Sequence, residues 1–243
     1  MRPLKARELL EVWEAGLAQA PTERALALLA AACPEASPDA LATLTIGQRD
    51  GKLLTLREGL WGSKMAAVVV CPGCQERLEL ILEAPEMLAH ARHSPAAEIP
   101  LSVGEYHVSF RLPTCRDVLA VVGHATPDAR AVLFERCLVS AERGGAPLDS
   151  DKLPPNVVTA VEKAVEEADP LADIQLGVTC PSCEHQWRAL FDIVSFLWTE
   201  IEVWAWRILT DVHTLARAYG WSEGDILNLS PTRRQFYLDM VGA

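Results

Sequence analysis

Cys71-Pro72-Gly73-Cys74 and Cys180-Pro181-Ser182-Cys183 are the two most informative stretches of this sequence. Each is a Cys-x-x-Cys turn with proline after the first cysteine, and the two turns are called the knuckles below. Two residues between a pair of cysteines let the backbone turn so that both sulfurs reach one metal ion. The repeated pattern predicts that Cys71, Cys74, Cys180 and Cys183 bind one structural zinc ion and clamp distant parts of the chain together.

Each knuckle lies between two strand-like runs. The β-branched run Ala67 to Val70 leads into the first, and Ile174 to Thr179 leads into the second. After each knuckle, apolar residues alternate with polar ones, which is typical of a half-buried strand. They stand four, six and eight positions after the second cysteine: Leu78, Leu80 and Leu82 in one case, Trp187, Ala189 and Phe191 in the other. The pattern predicts two β-hairpins with a knuckle at each tip and the same face turned inward.

A closed site of four thiolates has no open coordination position, so the predicted zinc is structural rather than catalytic. Three alternatives stay open: a thioredoxin-like redox dithiol, iron in a rubredoxin-like cage, and a degenerate site that binds no metal. Zinc knuckles usually have glycine after the second cysteine, whereas Gln75 and Glu184 stand here, which favours a looser or degenerate site. His185 is a conceivable ligand, but beside an intact cysteine pair it is interpreted as a surface residue.

Composition and charge restrict the possible functions. The chain has 22 basic and 33 acidic side chains, a formal net charge of −11, which argues against nonspecific binding of nucleic acid or anionic membranes. Neither a secretory signal nor a membrane span is expected, because charges interrupt the apolar runs. Seven cysteines with four in the knuckles favour metal over a disulfide framework, and the remaining Cys33, Cys115 and Cys137 are expected to be buried. No catalytic constellation is recognised, so an enzyme is not expected.

The predicted fold is α+β and mostly helical, with a split zinc-ribbon-like pair of hairpins and a long C-terminal helix. Residues 1–62 are expected to form an N-terminal helical section, and residues 63–83 and 174–191 to form the hairpins. Residues 84–173 are expected to form an α/β insertion between them. Residues 192–243 are expected to form an aromatic helix followed by short helices.

Periodicity and capping predict several elements inside these sections. A helix over residues 44–60 places its leucines on one face and its charged side chains on the other, among them Arg49, Asp50 and Arg57. In the insertion, a strand is predicted over residues 106–110 and a helix beginning at Thr114. A second helix is predicted over residues 127–141, followed by an exposed loop over residues 142–156 that is rich in Gly, Pro and Asp.

The C-terminal section begins with a long aromatic helix, for which Asp192 is a suitable N-cap and Gly220 a suitable C-terminal cap. Five of the seven tryptophans lie between Trp187 and Trp221. The apolar residues occupy more than one face, so they either pack against the hairpins and N-terminal helices or form a partner surface. The candidate partner-binding residues are Trp198, Trp204, Trp206, Trp221, Arg233 and Arg234. The two arginines are most simply interpreted as an ordinary solvated helix face.

Three parts of the chain together resemble a known family. They are Leu44 to Asp50 with Leu53 to Glu58, the two knuckles, and the C-terminal run from Glu200 to Leu238. The most specific part is Tyr219-Gly220-Trp221, followed by a leucine-rich stretch and Arg233-Arg234. These segments resemble proteins found among contractile injection system genes and related to the T-even-type phage baseplate hub assembly chaperone family.

The resemblance implies a non-enzymatic baseplate component, or a chaperone that assists hub and baseplate assembly, in a phage-tail-like particle. It implies baseplate or hub proteins as partners, and a place in the cytoplasm of the producing cell during assembly or in the finished particle. The zinc is not implied by the resemblance and rests on the cysteine spacing. The alternatives are a zinc-ribbon protein that binds nucleic acid or acts in transcription, against which the net charge of −11 argues, and a thiol-redox enzyme.

Overall fold

Two hydrophobic clusters and three small sheets organise the residues that this computed structural model describes, 1–89 and 97–242. Residues 90–96 of the predicted insertion and Ala243 of the predicted C-terminal section lie outside the described residues. Within the described ranges the chain forms eleven α-helices, one short 3-10 helix and eight β-strands. The predicted α+β class, mostly helical with small hairpins and a long C-terminal helix, is confirmed.

Four helices form the N-terminal section: α1 (Ala6–Gly16), α2 (Pro21–Ala32), α3 (Pro38–Ala42) and α4 (Ile46–Trp61). Short-range signals explain where they begin. Pro21 and Pro38 occupy first helical turns, where a missing N–H costs little. The Thr45 hydroxyl accepts a hydrogen bond from the Gln48 N–H at 3.2 Å and thereby caps α4. The apolar faces of these helices enter the main hydrophobic cluster.

Two antiparallel hairpins carry the knuckles. They consist of β1 (Lys64–Val70) with β2 (Arg77–Glu83), and of β7 (Ile174–Thr179) with β8 (Gln186–Phe191). Their registers are equivalent next to the knuckles, with Val69 opposite Leu78 and Val178 opposite Trp187. The alternating apolar residues predicted after each knuckle are all half-buried or buried, whereas the residues between them are exposed. Both predicted hairpins therefore exist, and each turns the expected face inward.

The chain between the hairpins contains a four-stranded antiparallel sheet in the order β3-β4-β5-β6. Its elements are α5 (Ala84–Ala89), β3 (Ile99–Val103), β4 (Tyr106–Phe110), α6 (Cys115–Ala120), α7 (Thr126–Cys137), β5 (Leu138–Arg143), β6 (Ala146–Pro147), the 3-10 helix (Ser150–Lys152) and α8 (Pro155–Ala168). Helix α8 packs against this sheet, and Val108, Phe110 and Val157 belong to a second hydrophobic cluster that draws only on this segment.

The predicted helix over residues 127–141 is wrong at its C-terminal end. Helix α7 ends at Cys137, and the chain continues directly as β5, which pairs with β4. Ala141 lies opposite Val108, and both side chains are buried in the second cluster. Pairing with a strand distant in sequence thus overrides the local helical pattern. The predicted loop over residues 142–156 also contains the short strand β6 and the 3-10 helix.

The C-terminal section consists of α9 (Ile193–Tyr219), α10 (Glu223–Leu227) and α11 (Pro231–Val241). The Asp192 carboxylate accepts a hydrogen bond from the Val194 N–H at 2.9 Å, and Gly220 ends α9 with φ = +70°. The buried stripe of α9 runs from Ile193 to Leu215 and enters the same cluster as α1, α2 and α4. No described helix combines the length and the apolar character needed to cross a membrane.

Helix α4 differs from its predicted one-sided pattern, because its charged residues Arg49, Asp50 and Arg57 are also buried, at 4–7% exposure. Arg57 donates to the carboxylate of Glu200 in α9 at 2.7 and 2.9 Å, and to the carbonyl oxygens of Gly62 and Lys64 at 2.6 Å each. Arg49 forms a 2.6 Å ion pair with Asp50. Neighbouring elements cover α4 on both sides, so these charges must be paired internally.

Candidate metal centre

The two knuckles have the same backbone hydrogen bonds at the same offsets. In the first, the Cys71 N–H donates to the Glu76 carbonyl at 2.8 Å and the Gln75 N–H donates to the Cys71 carbonyl at 2.9 Å. In the second, the Cys180 N–H donates to the carbonyl of His185, and the Glu184 N–H donates to that of Cys180, at 2.9 Å each. Each turn thus closes between its two strands and directs both cysteine side chains away from the hairpin.

The residue after each second cysteine adopts a left-handed backbone conformation. Gln75 has φ = +63° and Glu184 has φ = +59°, and these are the two non-glycine residues with positive φ in the described chain. This is the position at which zinc knuckles usually have glycine. A side chain in this conformation costs about 1–2 kcal/mol, and the knuckles keep the geometry despite that cost.

The four cysteine sulfurs meet at one place. The Sγ atoms of Cys71 and Cys183 are 3.6 Å apart, as are those of Cys74 and Cys180, and all four lie within 4.8 Å of one another. Each close pair takes one cysteine from each hairpin. A tetrahedron of sulfurs about 2.3 Å from a central zinc ion has edges of about 3.8 Å. The arrangement therefore matches tetrahedral thiolate coordination, and at 3.6 Å the sulfurs are too far apart for disulfides, which need about 2.05 Å.

The four thiols differ in burial and in hydrogen bonding, and therefore in pKa. Cys71 and Cys180 are fully buried, whereas Cys74 and Cys183 are exposed. Burial opposes ionisation of Cys180, but backbone N–H groups of Ser182 and Cys183 and the neighbouring thiols lower its pKa to about 7. The Glu76 N–H favours the Cys74 thiolate, but the neighbouring sulfurs and desolvation outweigh it and raise the pKa of Cys74 to about 12. Thiolates this close repel one another, so all four ionise together only around a cation.

His185 does not join this cluster of ligand atoms. Its ring stacks on Trp187 with the centroids 5.9 Å apart, and its Cβ lies 3.2 Å from the position that a Cβ on Gly73 would occupy. Glycine in the first knuckle therefore makes room for the second knuckle to approach. Since the four sulfurs complete a tetrahedral set, what this arrangement can do chemically is hold an ion and tie the hairpins together.

The candidate partner-binding residues are not equally accessible. Trp198 is 6% exposed, stacks under the Arg24 guanidinium at 4.5 Å and fills the space above Gly16, so it is a core residue. Arg234 is also buried, at 8%, and its Nε lies 3.3 Å from Asp211 Oδ2. The structure thus removes these two residues from the freely accessible surface.

The other four candidates are at least partly accessible. Trp206 is 63% exposed, with the ring of Trp13 edge-on at 6.1 Å, and Arg233 is exposed. Trp204 is half-buried. Trp221 is half-buried in an aromatic cluster, with its ring centroid 4.7 Å from Tyr219 and 4.9 Å from Tyr237. Accessibility therefore differs among these four candidates, and Trp206 and Arg233 are the exposed ones.

Comparison with known proteins gives one match. The sequence model of a family described as T4 bacteriophage base plate protein matches residues 5–198, well over half of the chain. The matched range contains both hairpins, the segment between them and the start of α9. The Tyr219 to Leu238 pattern, which carries the most specific part of the resemblance, lies outside it. No curated protein and no solved structure matches the chain.

Proposed function

This chain belongs to the T4 bacteriophage base plate protein family, and we propose that it is a non-enzymatic component, or an assembly chaperone, of the baseplate of a phage-tail-like contractile injection system. The observation that carries the proposal is the family match over residues 5–198, because it spans the whole clamped part of the chain. The chaperone role and the hub as a partner come from the resemblance of the C-terminal pattern, and action in the cytoplasm of the producing cell follows from an assembly role.

One structural zinc ion bound by Cys71, Cys74, Cys180 and Cys183 is part of this proposal. The equivalent hydrogen bonds of the two knuckles and the 3.6 Å sulfur contacts support it. Zinc is proposed over iron because closed sites of four cysteines in structural roles typically hold zinc. The ion holds the two hairpins together across a sequence separation of more than a hundred residues, and its binding free energy adds to the stability of the folded chain.

The proposed contact with baseplate or hub proteins lies on the exposed side of α9. Trp206 and Val203 project from the face opposite the buried stripe, and they are 63% and 65% exposed. Large apolar side chains that are exposed next to each other mark interaction surfaces, and tryptophan is enriched among residues that dominate binding energy. Trp204, Trp221 and Arg233 are proposed to flank this contact.

Affinity purification of the tagged full-length chain from its native host tests the proposal. Recovery of hub or wedge proteins together with one zinc per chain is the expected result. Trp206→Ala should weaken that recovery, with a loss of about 2 kcal/mol or roughly thirtyfold in affinity. Leu190→Ala is the matched control, since Leu190 is 70% exposed on β8 and is not a residue of α9.

Each part of the proposal has its own contrary outcome. Nucleic acid in place of baseplate proteins would overturn the function and favour the nucleic-acid-binding alternative. Iron, or no metal, in the same preparation would overturn the zinc site alone. Equal recovery with the Trp206 and Leu190 variants would move the partner surface away from α9.

A further inference from the structure

A large pocket lies on the helical side of the molecule, among segments distant in sequence. Its volume is about 970 Å³, and it is bounded by the start of α1, the end of α4, the middle of α9, the segment joining α10 to α11 and the start of α11. Residues of four classes line it: cations (Lys5, Arg7, Arg207, Arg234), carboxylates (Glu8, Asp211), aromatic and apolar side chains (including Trp61 and Trp204) and amides (Asn228, Gln235). The pocket contains no residue of the candidate metal centre.

The charges in this pocket are not balanced internally. Glu8 binds Arg2 outside the pocket at 2.5 and 2.8 Å, and Asp211 faces Arg234. Within residues 1–89 and 97–242, Lys5, Arg7 and Arg207 form no ion pair. The lining thus holds four cations against two carboxylates, and such an excess of positive charge is unexpected in a chain whose net charge is −11. The pocket is therefore electrostatically suited to an anion.

Arg234 adds a further donor to the same wall. Its side chain is 10% exposed, and its one ion pair in the described chain is the 3.3 Å contact from Nε to Asp211. A guanidinium has five N–H donors, and the nitrogens of Arg234 are not among the buried side-chain atoms that lack a partner, so they reach solvent. No hydrogen bond from the Nη atoms to a described residue is formed, so these donors are available to a carboxylate entering the pocket.

The aromatic lining restricts the kind of anion. Trp61 and Trp204 are half-buried and line the pocket together with the apolar side chains of Leu60 and Leu227. A volume of 970 Å³ is at the upper end for sites that bind small molecules, which run from about 300 to 1,000 Å³. A mixture of cations and tryptophans suits a ligand in which carboxylates alternate with apolar groups.

We propose that this pocket binds an acidic segment of a partner protein, in which glutamate or aspartate side chains stand next to apolar ones. Arg7, Arg207 and Arg234 receive the carboxylates, and Trp61 and Trp204 receive the apolar side chains. The proposal rests on the proposed function only in that the occupant is a protein. It adds a second recognition site to the exposed face of α9 around Trp206, and it gives that site a defined chemical preference.

Fluorescence anisotropy with the purified, metal-loaded chain tests the proposal. The probe is a labelled decapeptide of alternating glutamate and leucine, and the comparison peptide has lysine in place of glutamate. We expect saturable binding of the glutamate peptide that weakens as salt rises, because exposed charge pairs are screened. The lysine peptide should not bind. Equal binding of both peptides, or binding of neither, overturns the proposal.

Charge-reversal variants locate the binding. Arg7→Glu combined with Arg207→Glu should reduce affinity for the glutamate peptide by about tenfold or more. Arg77→Glu combined with Arg188→Glu is the control, because it changes the net charge equally at two exposed hairpin residues that do not line the pocket. Circular dichroism verifies that both variants fold. Equal losses in the two double variants indicate a general charge effect and overturn the assignment to this pocket.

The test is independent of the baseplate. Peptide binding without recovery of baseplate proteins from the host overturns the proposed function and leaves the pocket assignment standing. Recovery of baseplate proteins without peptide binding overturns the pocket assignment and leaves the proposed function standing.

Discussion

At the scale of single residues, Gln75 and Glu184 hold the knuckles in a conformation that glycine adopts without strain. Both have positive φ and both follow the second cysteine of a knuckle. The left-handed conformation brings a Cβ close to the following carbonyl oxygen, which glycine avoids because it has no Cβ. The knuckles are therefore locally strained, and the surrounding hairpins and the sulfur cluster keep them in place.

Replacing these residues by glycine should stabilise the folded chain. For Gln75→Gly and for Glu184→Gly we expect a gain of about 0.5–1 kcal/mol each, since relief of strain exceeds the greater flexibility of glycine in the unfolded state. Urea unfolding of the metal-loaded protein measures it. Glu79→Gly, in the exposed row of β2, is the control and should destabilise the chain by a similar amount. A loss of stability in all three variants would contradict the inference that the backbone is strained at Gln75 and Glu184.

Asp117 is the most strongly perturbed carboxylate of the insertion. It is 1% exposed, and it accepts hydrogen bonds from Arg111 at 2.6 and 2.9 Å, from Arg136 at 2.9 Å and from Thr114. Burial alone would raise the pKa of Asp117, but these donors outweigh it and hold the pKa well below its usual range. The carboxylate therefore joins α6, the end of β4 and the end of α7 in its ionised form.

The Asp117 carboxylate should make stability depend on pH in the acid range. Its contribution is complete above the unfolded pKa, about 3.9, and is lost as pH falls through the lower folded pKa. Asp117→Asn should cost about 3 kcal/mol at pH 7, because it breaks a buried charge network. Urea unfolding between pH 7 and pH 2 measures the difference from the natural chain, which should narrow at the acid end. Asp151→Asn, at an exposed aspartate, should change little. A difference that stays constant with pH would contradict this role.

At the scale of elements, the start of α4 joins the N-terminal section to the end of the insertion. The Gly47 N–H donates to Asp169 Oδ2 at 2.9 Å, and a Cβ on Gly47 would lie 1.9 Å from Asp169 Oδ1. Asp169 is 6% exposed and follows α8 directly. The Cys115 N–H also donates to the Leu44 carbonyl beside it, at 3.0 Å. Gly47 is thus required for close approach and not for an unusual backbone angle.

Two glycines of α4 should respond in opposite ways to alanine. Gly47→Ala should destabilise the chain by about 1–3 kcal/mol, because the new methyl group displaces Asp169 and breaks its bond to the helix start. Gly59→Ala, in the same helix with nothing within 4 Å of the added Cβ, should stabilise it by up to about 1 kcal/mol. Thermal unfolding of the two variants measures both. If both substitutions stabilise the chain, helix propensity alone determines the stability change, and the close contact between Gly47 and Asp169 is not required.

At the scale of the whole molecule, the two hydrophobic clusters differ in how they depend on the clamp. The main cluster contains residues of both hairpins, among them Met65 and Phe191, whereas the second cluster draws only on the segment between the hairpins. The two knuckles tie both ends of that segment together at the sulfur cluster. Loss of the clamp should therefore disturb the main cluster, which contains Met65 and Phe191 of the hairpins, more than the second cluster.

Removal of metal should lower the stability of the chain without abolishing its helices. We expect a loss of several kcal/mol, below the roughly 10–16 kcal/mol of isolated zinc-finger peptides, since the helices bury a core of their own. Thermal unfolding with and without a chelator measures it, with metal content determined in parallel. Cys71→Ser should reproduce the loss and remove the response to chelator. Cys33→Ala, at a buried cysteine outside the knuckles, should keep that response. An unchanged melting temperature on chelation would contradict the clamp.

Features that depend on short stretches of chain can be predicted from the amino-acid sequence alone. The knuckles, the matched apolar positions of their strands and the caps of α9 all rest on spacings of a few residues. These spacings act through local backbone geometry, so they hold whatever surrounds them. The convergence of the four cysteine sulfurs was predictable for the same reason, because each Cys-x-x-Cys turn brings two of them together.

Which polar residues are buried, and which surfaces stay exposed, depends on how distant segments pack together. Arg57 reads as a solvent-facing helix residue until Glu200 and the start of β1 cover it. Residues 138–141 continue a helical pattern until β4 pairs with them. The cationic pocket gathers Lys5, Arg7 and Arg207 from segments that carry no shared motif. In each case, contacts between residues far apart in sequence stabilise the observed arrangement. A local sequence pattern cannot predict those contacts.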